Sequence, residues 1–354
     1  MKVLFISQGK TEADQVGYVK AFEAVADVVT VPWMGISQSQ GWSALWKKVI
    51  QVNEDLSPDL IFFQRFHSDN PESPKDCIEV LRKSKNSPFI FADCGDMFQP
   101  YLGHLWVRKI PHALIELAKL SDIFFMSSIG AASRWLKKHG ATRIELLPLA
   151  FSNYQFPHWR NPISLNPDFD VVMVGSLCVQ KRRPISTLTH LRYRHDTANR
   201  LWKRYGKRFG LFGAGWKGHP AWQGEVDFKD QLNVYKNSKI CVDARPPAVA
   251  DYYASNRPFF IAGAGATMVQ YYMPHIDEMF REGKDSHFVY SPRGLVNVCD
   301  TLIDRSRAEL IRQGQETQQF IQQHHTTDKR VDTIISYVQH LREPSIPVRN
   351  WHFI

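Results

Sequence analysis

A glycine–serine pair followed by basic residues has the composition of a diphosphate-binding turn. Gly175 and Ser176 come directly after the apolar run 171–174, and Lys181 and Arg182 follow shortly afterwards. Glycine lets the backbone approach a ligand, serine donates a hydrogen bond, and arginine binds phosphate through two parallel bonds. The spacing matches neither a P-loop nor a dinucleotide fingerprint, which disfavours ATP hydrolysis and hydride transfer. The alternative is a tight turn with solvated basic residues.

Two more segments of the second half carry residues suited to the same ligand. Gly213, Gly215 and Trp216 follow another apolar run, and Arg257 precedes an apolar helix that ends near Gly265. A cation is unfavourable at a helix N-terminus unless an anion lies nearby, so the position of Arg257 favours a phosphate contact. Trp216 either contacts the ligand or packs beneath its turn.

Two carboxylates in the first half follow a buried strand. Asp93 and Asp96 come after the apolar run 89–92, and a partly desolvated carboxylate there suits a general base that deprotonates a hydroxyl group. A helix cap or a solvated turn residue is the alternative. His67 and His104 are candidates for acceptor contacts, although a structural role is the commoner one for such isolated histidines.

The elements that position these residues are alternating strands and helices. Strand and helix patterns alternate over residues 3–147 and again over 170–323, and the strands are apolar on both faces, which indicates covered parallel sheets. Between them, prolines mark residues 151–167 as a linker. We therefore expect an α/β fold with domains at 1–150 and 168–330, and a C-terminal segment, 331–354, that returns to the first domain.

Composition indicates a globular chain without a membrane span. The chain has 354 residues, of which 44% are hydrophobic, and no apolar run approaches the ~18 residues that a membrane helix needs. Its five cysteines are scattered without C-x-x-C spacing. We therefore predict a cytoplasmic protein with neither disulfides nor a zinc site, and with no metal or other cofactor. The oligomeric state stays open.

Positive charge is concentrated in one segment. The net charge is +9, and eleven Lys and Arg residues face a single acidic residue, Asp196, between Lys181 and Lys217. Such a segment is typical of a site for a polyanion, or of a solvated helix face.

The second half resembles GT-B glycosyltransferases of the glycosyltransferase-1/CgeB-like group. Phe209–Trp216 resembles the family's G-x-G-W turn, Tyr235–Val242 is similar to its Y-x-x-S-K-I-x-L segment, and His325–Arg330 is similar to its H-T-x-x-x-R ending. The resemblance implies two Rossmann-like domains facing each other across a cleft, and a nucleotide-sugar donor of the UDP type. It implies these donor-binding residues: Gly175, Ser176, Lys181, Arg182, Gly213, Gly215, Trp216, Arg257, Gly265 and Glu278.

A weaker similarity extends to phage DNA β-glucosyltransferases. It implies that Asp93 is the base of an inverting transfer and that the acceptor is a hydroxymethylated pyrimidine in DNA. A cell-surface glycan, a protein or a small metabolite is the competing acceptor. The family's ribose-binding glutamate is replaced by Phe260, which keeps open a non-catalytic binding protein on the same fold.

Overall fold

Apolar runs form the strands of two parallel sheets, as the sequence predicts. The computed structural model describes residues 1–10, 16–65, 72–96, 110–177, 184–245 and 250–349. These residues divide into two units: unit 1 contains those up to Tyr154 and those from Thr327 onwards, and unit 2 contains Gln155–Thr326. Each unit contains one six-stranded sheet in which neighbouring strands are parallel. The predicted α/β fold with two Rossmann-like halves is confirmed.

The strands are short and mostly buried. Those of unit 1 are β1 (Lys2–Ser7), β2 (Asp27–Pro32), β3 (Leu60–Phe63), β4 (Phe89–Asp93), β5 (Ile123–Met126), the two-residue β6 (Ile129–Gly130) and β7 (Ile144–Leu146). Those of unit 2 are β8 (Phe169–Val174), β9 (Phe209–Phe212), β10 (Trp222–Gly224), β11 (Ser238–Asp243), the two-residue β12 (Ala250–Asp251), β13 (Thr267–Tyr271) and β14 (His287–Val289). The strand orders are β2-β1-β3-β4-β5-β7 and β10-β9-β8-β11-β13-β14.

Helices connect most of the strands. They are α1 (Val16–Glu23), α2 (Trp33–Gln40), α3 (Trp42–Leu56), α4 (Lys75–Arg82), α5 (His112–Leu120), α6 (Ala131–Lys138), α7 (Pro184–Tyr205), α8 (Gln231–Lys236), α9 (Asn256–Gly263), α10 (Pro292–Ile303), α11 (Arg307–His324) and α12 (Thr327–Arg342). The sequence pattern does not predict α2. It carries Gly35, where a side chain would collide with the carbonyl of Lys10, so close backbone packing and not amphipathic spacing determines its place.

The last helix belongs to unit 1. Val331, Ile334 and Tyr337 of α12 are buried in the same apolar cluster as Phe62 and Phe125 of the sheet. Arg330, also fully buried, donates hydrogen bonds to the carbonyl oxygens of Pro148 (2.8 Å) and Leu149 (3.2 Å). The chain thus returns to the first sheet after completing unit 2.

Candidate functional site

The turns that follow β8 and β9 are joined by backbone hydrogen bonds. The amide of Gly175 donates to the carbonyl oxygen of Phe212 at 2.9 Å, and the amide of Leu177 donates to that of Ala214 at 2.8 Å. Both turns leave the carboxyl ends of adjacent parallel strands, the edge at which open α/β sheets bind ligands. The structure therefore brings Gly175, Ser176 and the Gly213–Trp216 turn together.

Glycine is required for this close approach. Gly213 has φ of 127° and Gly215 has φ of 84°, a region that side chains disfavour. A Cβ atom on Gly213 would lie 2.8 Å from the carbonyl oxygen of Gly175, and one on Gly215 would lie 2.6 Å from that of Leu177. The two predicted glycines thus allow one turn to rest directly on the other.

Two side chains of unit 2 donate hydrogen bonds to carbonyl groups of the turn that follows β8. Trp216, which is 2% exposed, donates from Nε1 to the carbonyl oxygen of Gly175 at 2.6 Å, and the buried Arg194 donates to that of Ser176. The amide of Ser176 has no acceptor among the described residues. The Ser176 amide can therefore donate a hydrogen bond to an anionic ligand. Of the two roles considered for Trp216, support beneath the turn is the one its burial favours.

Arg257 lies against the same turn. It is the second residue of α9, its Nη1 donates to Asp243 Oδ1 at 2.8 Å, and its guanidinium carbon would be 3.6 Å from a Cβ on Gly175. Its side chain keeps 21% exposure while Asp243 is fully buried. A partly exposed guanidinium fixed beside a glycine turn is suited to binding phosphate.

Asp243 and Arg245 belong to this cluster, although the sequence analysis did not single them out. Asp243 ends β11 and Arg245 follows it. Both side chains are buried, and they form an ion pair with each other. Arg245 also donates to the carbonyl oxygen of Tyr253 at 2.9 Å and to the side chain of Gln270. Two arginines against one aspartate leave the cluster positive, which favours an anionic ligand. Because Asp243 and Arg245 come at the end of an apolar run, the sequence could have indicated that they lie at the ligand-binding edge of the sheet.

Gly265 and Glu278, both predicted to bind donor, lie at opposite edges of the sheet of unit 2. Gly265 precedes β13, at the amino-terminal edge of the sheet, where a Cβ on Gly314 would lie 1.8 Å from its carbonyl oxygen. It serves the packing of α9 against α11. Glu278 follows β13 at the carboxyl edge, where it accepts from Tyr252 Oη at 2.9 Å and lies 2.7 Å from His275 Nδ1.

Phe260 faces the interior of unit 2. It is 3% exposed, and its ring centroid lies 4.9 Å from that of Phe156 and 5.2 Å from that of Phe228. Edge-on aromatic packing of this kind stabilises a core. The residue at this position therefore contributes packing in place of a carboxylate.

In unit 1, Asp93 ends β4 and is 7% exposed. Its Oδ1 accepts a 2.6 Å hydrogen bond from the amide of Arg65, and Gly95 donates a second amide. Burial raises the pKa of Asp93 to about 6, against the lowering effects of the Arg65 charge and the two amides. A carboxylate with a pKa near neutrality is suited to accepting a proton. Asp96, the other predicted carboxylate, is exposed.

Asp93 shares the carboxyl edge of its sheet with other polar residues. The register pairs Ile6 with Phe63 and Phe63 with Ala92, so the next row across the strands contains Ser7, Gln64 and Asp93. All three side chains are buried. The edge thus offers hydroxyl, amide and carboxylate groups within one row.

Several predicted residues lie outside the described part of the chain. They are Lys181, Arg182, His67 and His104. Within the described ranges, no group of three His, Cys, Asp or Glu side chains could hold a metal ion, and no helix is long and apolar enough to cross a membrane.

Much of the basic segment is paired within unit 2. Arg200 binds Asp196 at 3.1 Å, Arg204 binds Asp300 at 2.9 Å, and Arg208 binds Asp170 at 2.5 Å. Arg194 is buried. The charge available to an external polyanion is therefore smaller than the sequence indicates.

Part of the sequence matches a known protein family. Residues 190–336 match the family model described as glycosyl transferase-like. No curated protein matches the sequence.

Solved structures match nearly the whole chain. HepE of Anabaena, in complex with UDP and glucose, has a TM-score of 0.58 at 12% identity, covering 96% of this chain and 99% of its own. Trehalose-6-phosphate synthase OtsA has a TM-score of 0.60 at 12% identity, covering 96% and 99%. A glycosyltransferase of Rickettsia africae has a TM-score of 0.59 at 10% identity, covering 97% and 98%. Residues 190–336 thus match a glycosyl transferase-like family, and the chain as a whole has the GT-B fold of these glycosyltransferases.

Proposed function

We propose that the chain transfers a sugar from a UDP-sugar to an acceptor hydroxyl group. The observation that carries this proposal is the convergence of Gly175, Ser176, Gly213 and Arg257 at one edge of unit 2. The amide of Ser176 and the Arg257 guanidinium would bind the diphosphate and stabilise its negative charge as the sugar leaves. HepE is described in complex with UDP-glucose, which supports UDP as the nucleotide.

In this proposal, Asp93 of unit 1 is the general base. It removes the proton of the acceptor hydroxyl, whose oxygen attacks the anomeric carbon while the bond to the diphosphate breaks. A single displacement of this kind inverts the anomeric configuration. The buried carboxylate and its raised pKa support the assignment.

The first experiment measures donor binding and turnover. Nucleotide sugars are incubated with the protein, UDP release is followed, and UDP is titrated calorimetrically. Slow donor hydrolysis and UDP binding are expected. No binding of UDP and no hydrolysis of any common nucleotide sugar would refute the proposal.

Stereochemistry needs a separate measurement. One of the similar structures, of trehalose-6-phosphate synthase, is described in terms of glycosyl transfer with retention. Proton NMR of the product's anomeric centre distinguishes the outcomes. A retained configuration would contradict a single displacement with Asp93 as base and leave the donor site untouched.

DNA carrying hydroxymethylated pyrimidines is our finer hypothesis for the acceptor, and a glycan, a protein or a metabolite is its competitor. Lys203, Lys207 and Lys217 are exposed and form no ion pair with a described residue, which supports DNA, whereas the ion pairs of Arg200, Arg204 and Arg208 reduce that support. A gel shift across a salt series tests it, because phosphate contacts weaken steeply with salt. Absence of a shift at low salt would exclude DNA.

A further inference from the structure

Two tryptophan side chains hold the two donor turns of unit 2 by their carbonyl groups. Trp216 Nε1 donates to the carbonyl oxygen of Gly175 at 2.6 Å, and Trp222 Nε1 donates to that of Gly213 at 3.0 Å. Gly175 follows β8 and Gly213 follows β9. The position of both turns therefore depends on the segment that carries the two tryptophans, residues 216–222.

His219 lies in the middle of this segment and is hydrogen-bonded to both tryptophans. Its backbone amide donates to the carbonyl oxygen of Trp216 at 2.8 Å, and its carbonyl oxygen accepts from the amide of Trp222 at 3.0 Å. Its ring packs edge-on against Trp216, with the ring centroids 5.8 Å apart. Pro220 follows it and supplies the fixed φ that the second position of a turn requires. His219 is thus the residue that two consecutive turns share.

The side chain of His219 closes the second of these turns, and it does so as a neutral ring. Nδ1 accepts a hydrogen bond from the amide of Ala221 at 3.1 Å. Because an amide nitrogen can only donate, Nδ1 carries a lone pair and the ring proton is on Nε2. Nε2 lies 3.2 Å from Asn199 Oδ1 on α7, an acceptor suited to that proton. A second proton on the ring would set two donors, Nδ1–H and the Ala221 amide, against each other.

The described charged groups around His219 do not favour its protonated form. Burial, and after it the charge of His195 on α7, lowers the pKa of His219 below its ordinary value. On the same helix, Asp196 pairs with Arg200 at 3.1 Å. Lys217, in the segment itself, is exposed, and the neighbouring strands β9 and β10 contain no charged residue. No described carboxylate forms an ion pair with His219.

We propose that His219 is a positioning residue of the donor site, whose neutral ring fixes residues 216–222 and, through Trp216 and Trp222, the two donor turns. Protonation of the ring would release the Ala221 amide and loosen both tryptophans, so the donor binds the unprotonated form. This inference rests on the proposed function, because it concerns the binding of the same UDP-sugar. It assigns unit 2 a pH dependence that is separate from that of Asp93 in unit 1.

The test compares two substitutions that treat the Ala221 amide differently. In His219→Asn, the side-chain oxygen can accept from the amide two residues further on, as asparagine does in turns, and it does not titrate. His219→Ala removes the acceptor. The ligand is UDP-glucose, because its diphosphate has no proton that titrates near neutral pH. Its affinity for the whole protein is measured by calorimetry at about pH 7.5 and about pH 5, on either side of the ordinary histidine pKa.

Binding excludes the proton, so affinity falls as pH falls. We expect wild type to bind UDP-glucose about fivefold more weakly at the lower pH, the equivalent of about one net hydrogen bond. His219→Asn should bind as wild type does at the higher pH and lose this decline, whereas His219→Ala should bind about fivefold more weakly at both values. An equal decline in wild type and His219→Asn, no decline in wild type, or wild-type affinity in His219→Ala would each overturn the proposal.

Two other histidines of unit 2 serve as matched controls. His158→Asn makes the same change at an exposed histidine and should leave the decline as it is in wild type. His195→Ala should also leave it, because the hydrogen bond from the Ala221 amide to His219 remains. Loss of the decline in His195→Ala would assign the titration to His195 and contradict the role of His219.

Hydrogen exchange separates a failure of this inference from a failure of the proposed function. The amides of Leu177 and Gly213 donate to backbone carbonyl groups and report on the donor turns without any ligand. Mass spectrometry at about pH 7.5 should show faster exchange of these amides in His219→Ala and wild-type exchange in His219→Asn. If UDP-glucose does not bind, that result counts against the proposed donor, and exchange alone decides on His219. Equal exchange in all three proteins would then overturn its positioning role.

Discussion

The backbone amide of Arg65 donates a 2.6 Å hydrogen bond to Asp93 Oδ1 from a left-handed conformation with φ of 49°. Strain of this type costs about 1 kcal/mol or more, and here it places a donor on a buried carboxylate. The bond stabilises the charged form of Asp93, whereas burial stabilises the neutral form. The two effects leave the pKa of Asp93 near 6, where the carboxylate is ionised at neutral pH yet remains a useful base.

The first prediction concerns the role of Asp93. Asp93→Asn keeps the size of the side chain and an acceptor for the Arg65 amide, but it cannot take up a proton. We expect the transfer rate to fall about 10²–10⁴-fold, the usual contribution of a general base, while UDP affinity stays unchanged. Steady-state kinetics and calorimetry measure the two quantities. Unchanged transfer would show that Asp93 is not the base and that the reaction follows a different mechanism.

The second prediction is a pH dependence of rate. Because the pKa of Asp93 is raised to about 6, its ionised fraction falls about tenfold for each pH unit below that value. We expect kcat/KM to decline with this slope between about pH 6 and pH 5 and to level off above about pH 7. A profile that is flat through this range would show that Asp93 does not titrate in the rate-limiting step.

The third prediction links the same carboxyl group to stability. Burial raises the pKa of Asp93 from 3.8 to about 6, so the folded protein binds a proton more tightly than the unfolded chain. The contribution of Asp93 to stability should therefore fall as pH rises from about 4 to about 6. Asp93→Asn should remove this loss and stabilise the protein by as much as about 3 kcal/mol at pH 7.5, with no gain at pH 4.

Urea unfolding at both pH values checks this linkage. Exposed Asp27→Asn is the matched control, and its stability change should be small at either pH. Equal or lower stability of Asp93→Asn at pH 7.5 would contradict the argument that burial dominates the pKa of this group.

The sequence predicts the turns of unit 2 better than it predicts what supports them. Gly175, Gly213 and Gly215 follow apolar runs, and parallel strands necessarily end at one edge, so their convergence can be expected from the pattern. The ion pair between Arg257 and Asp243 cannot be expected from the pattern, because it depends on how α9 packs against β11. Strand pattern alone contains no information about that packing.

Other features depend on conformations that residue type disfavours. The φ of Arg65 is positive although arginine carries no preference for that region, and it accompanies the amide bond to Asp93 and the side-chain contact with Gly95. Arg194 appears in the sequence as one of many basic residues, yet it precedes the buried Ala198 and Leu201 by helical spacing. That periodicity would have placed it on the inner face of α7.

The fourth prediction tests Arg257 as a phosphate contact. Arg257→Ala should raise the dissociation constant of UDP about tenfold or more, because a charge-assisted bond to phosphate is lost. Affinity for uridine, which lacks phosphate, should change little. Arg200→Ala removes an exposed arginine that pairs within its own helix and serves as the control of equal charge. Equal losses for UDP and uridine would show that Arg257 supports the fold and does not contact phosphate.

The fifth prediction separates close packing from backbone conformation at the donor turns. Gly213 and Gly218 both have positive φ, 127° and 96°, but a Cβ on Gly213 would lie 2.8 Å from the backbone of Gly175, whereas one on Gly218 meets nothing within 4 Å. Gly218→Ala should therefore cost only the conformational penalty, about 1–2 kcal/mol. Gly213→Ala should in addition push the two turns apart, lowering UDP affinity about tenfold or more besides reducing stability. Thermal unfolding and UDP titration of both variants measure the difference. If the two variants bound UDP equally well, the contact between the turns would not be what shapes the donor site.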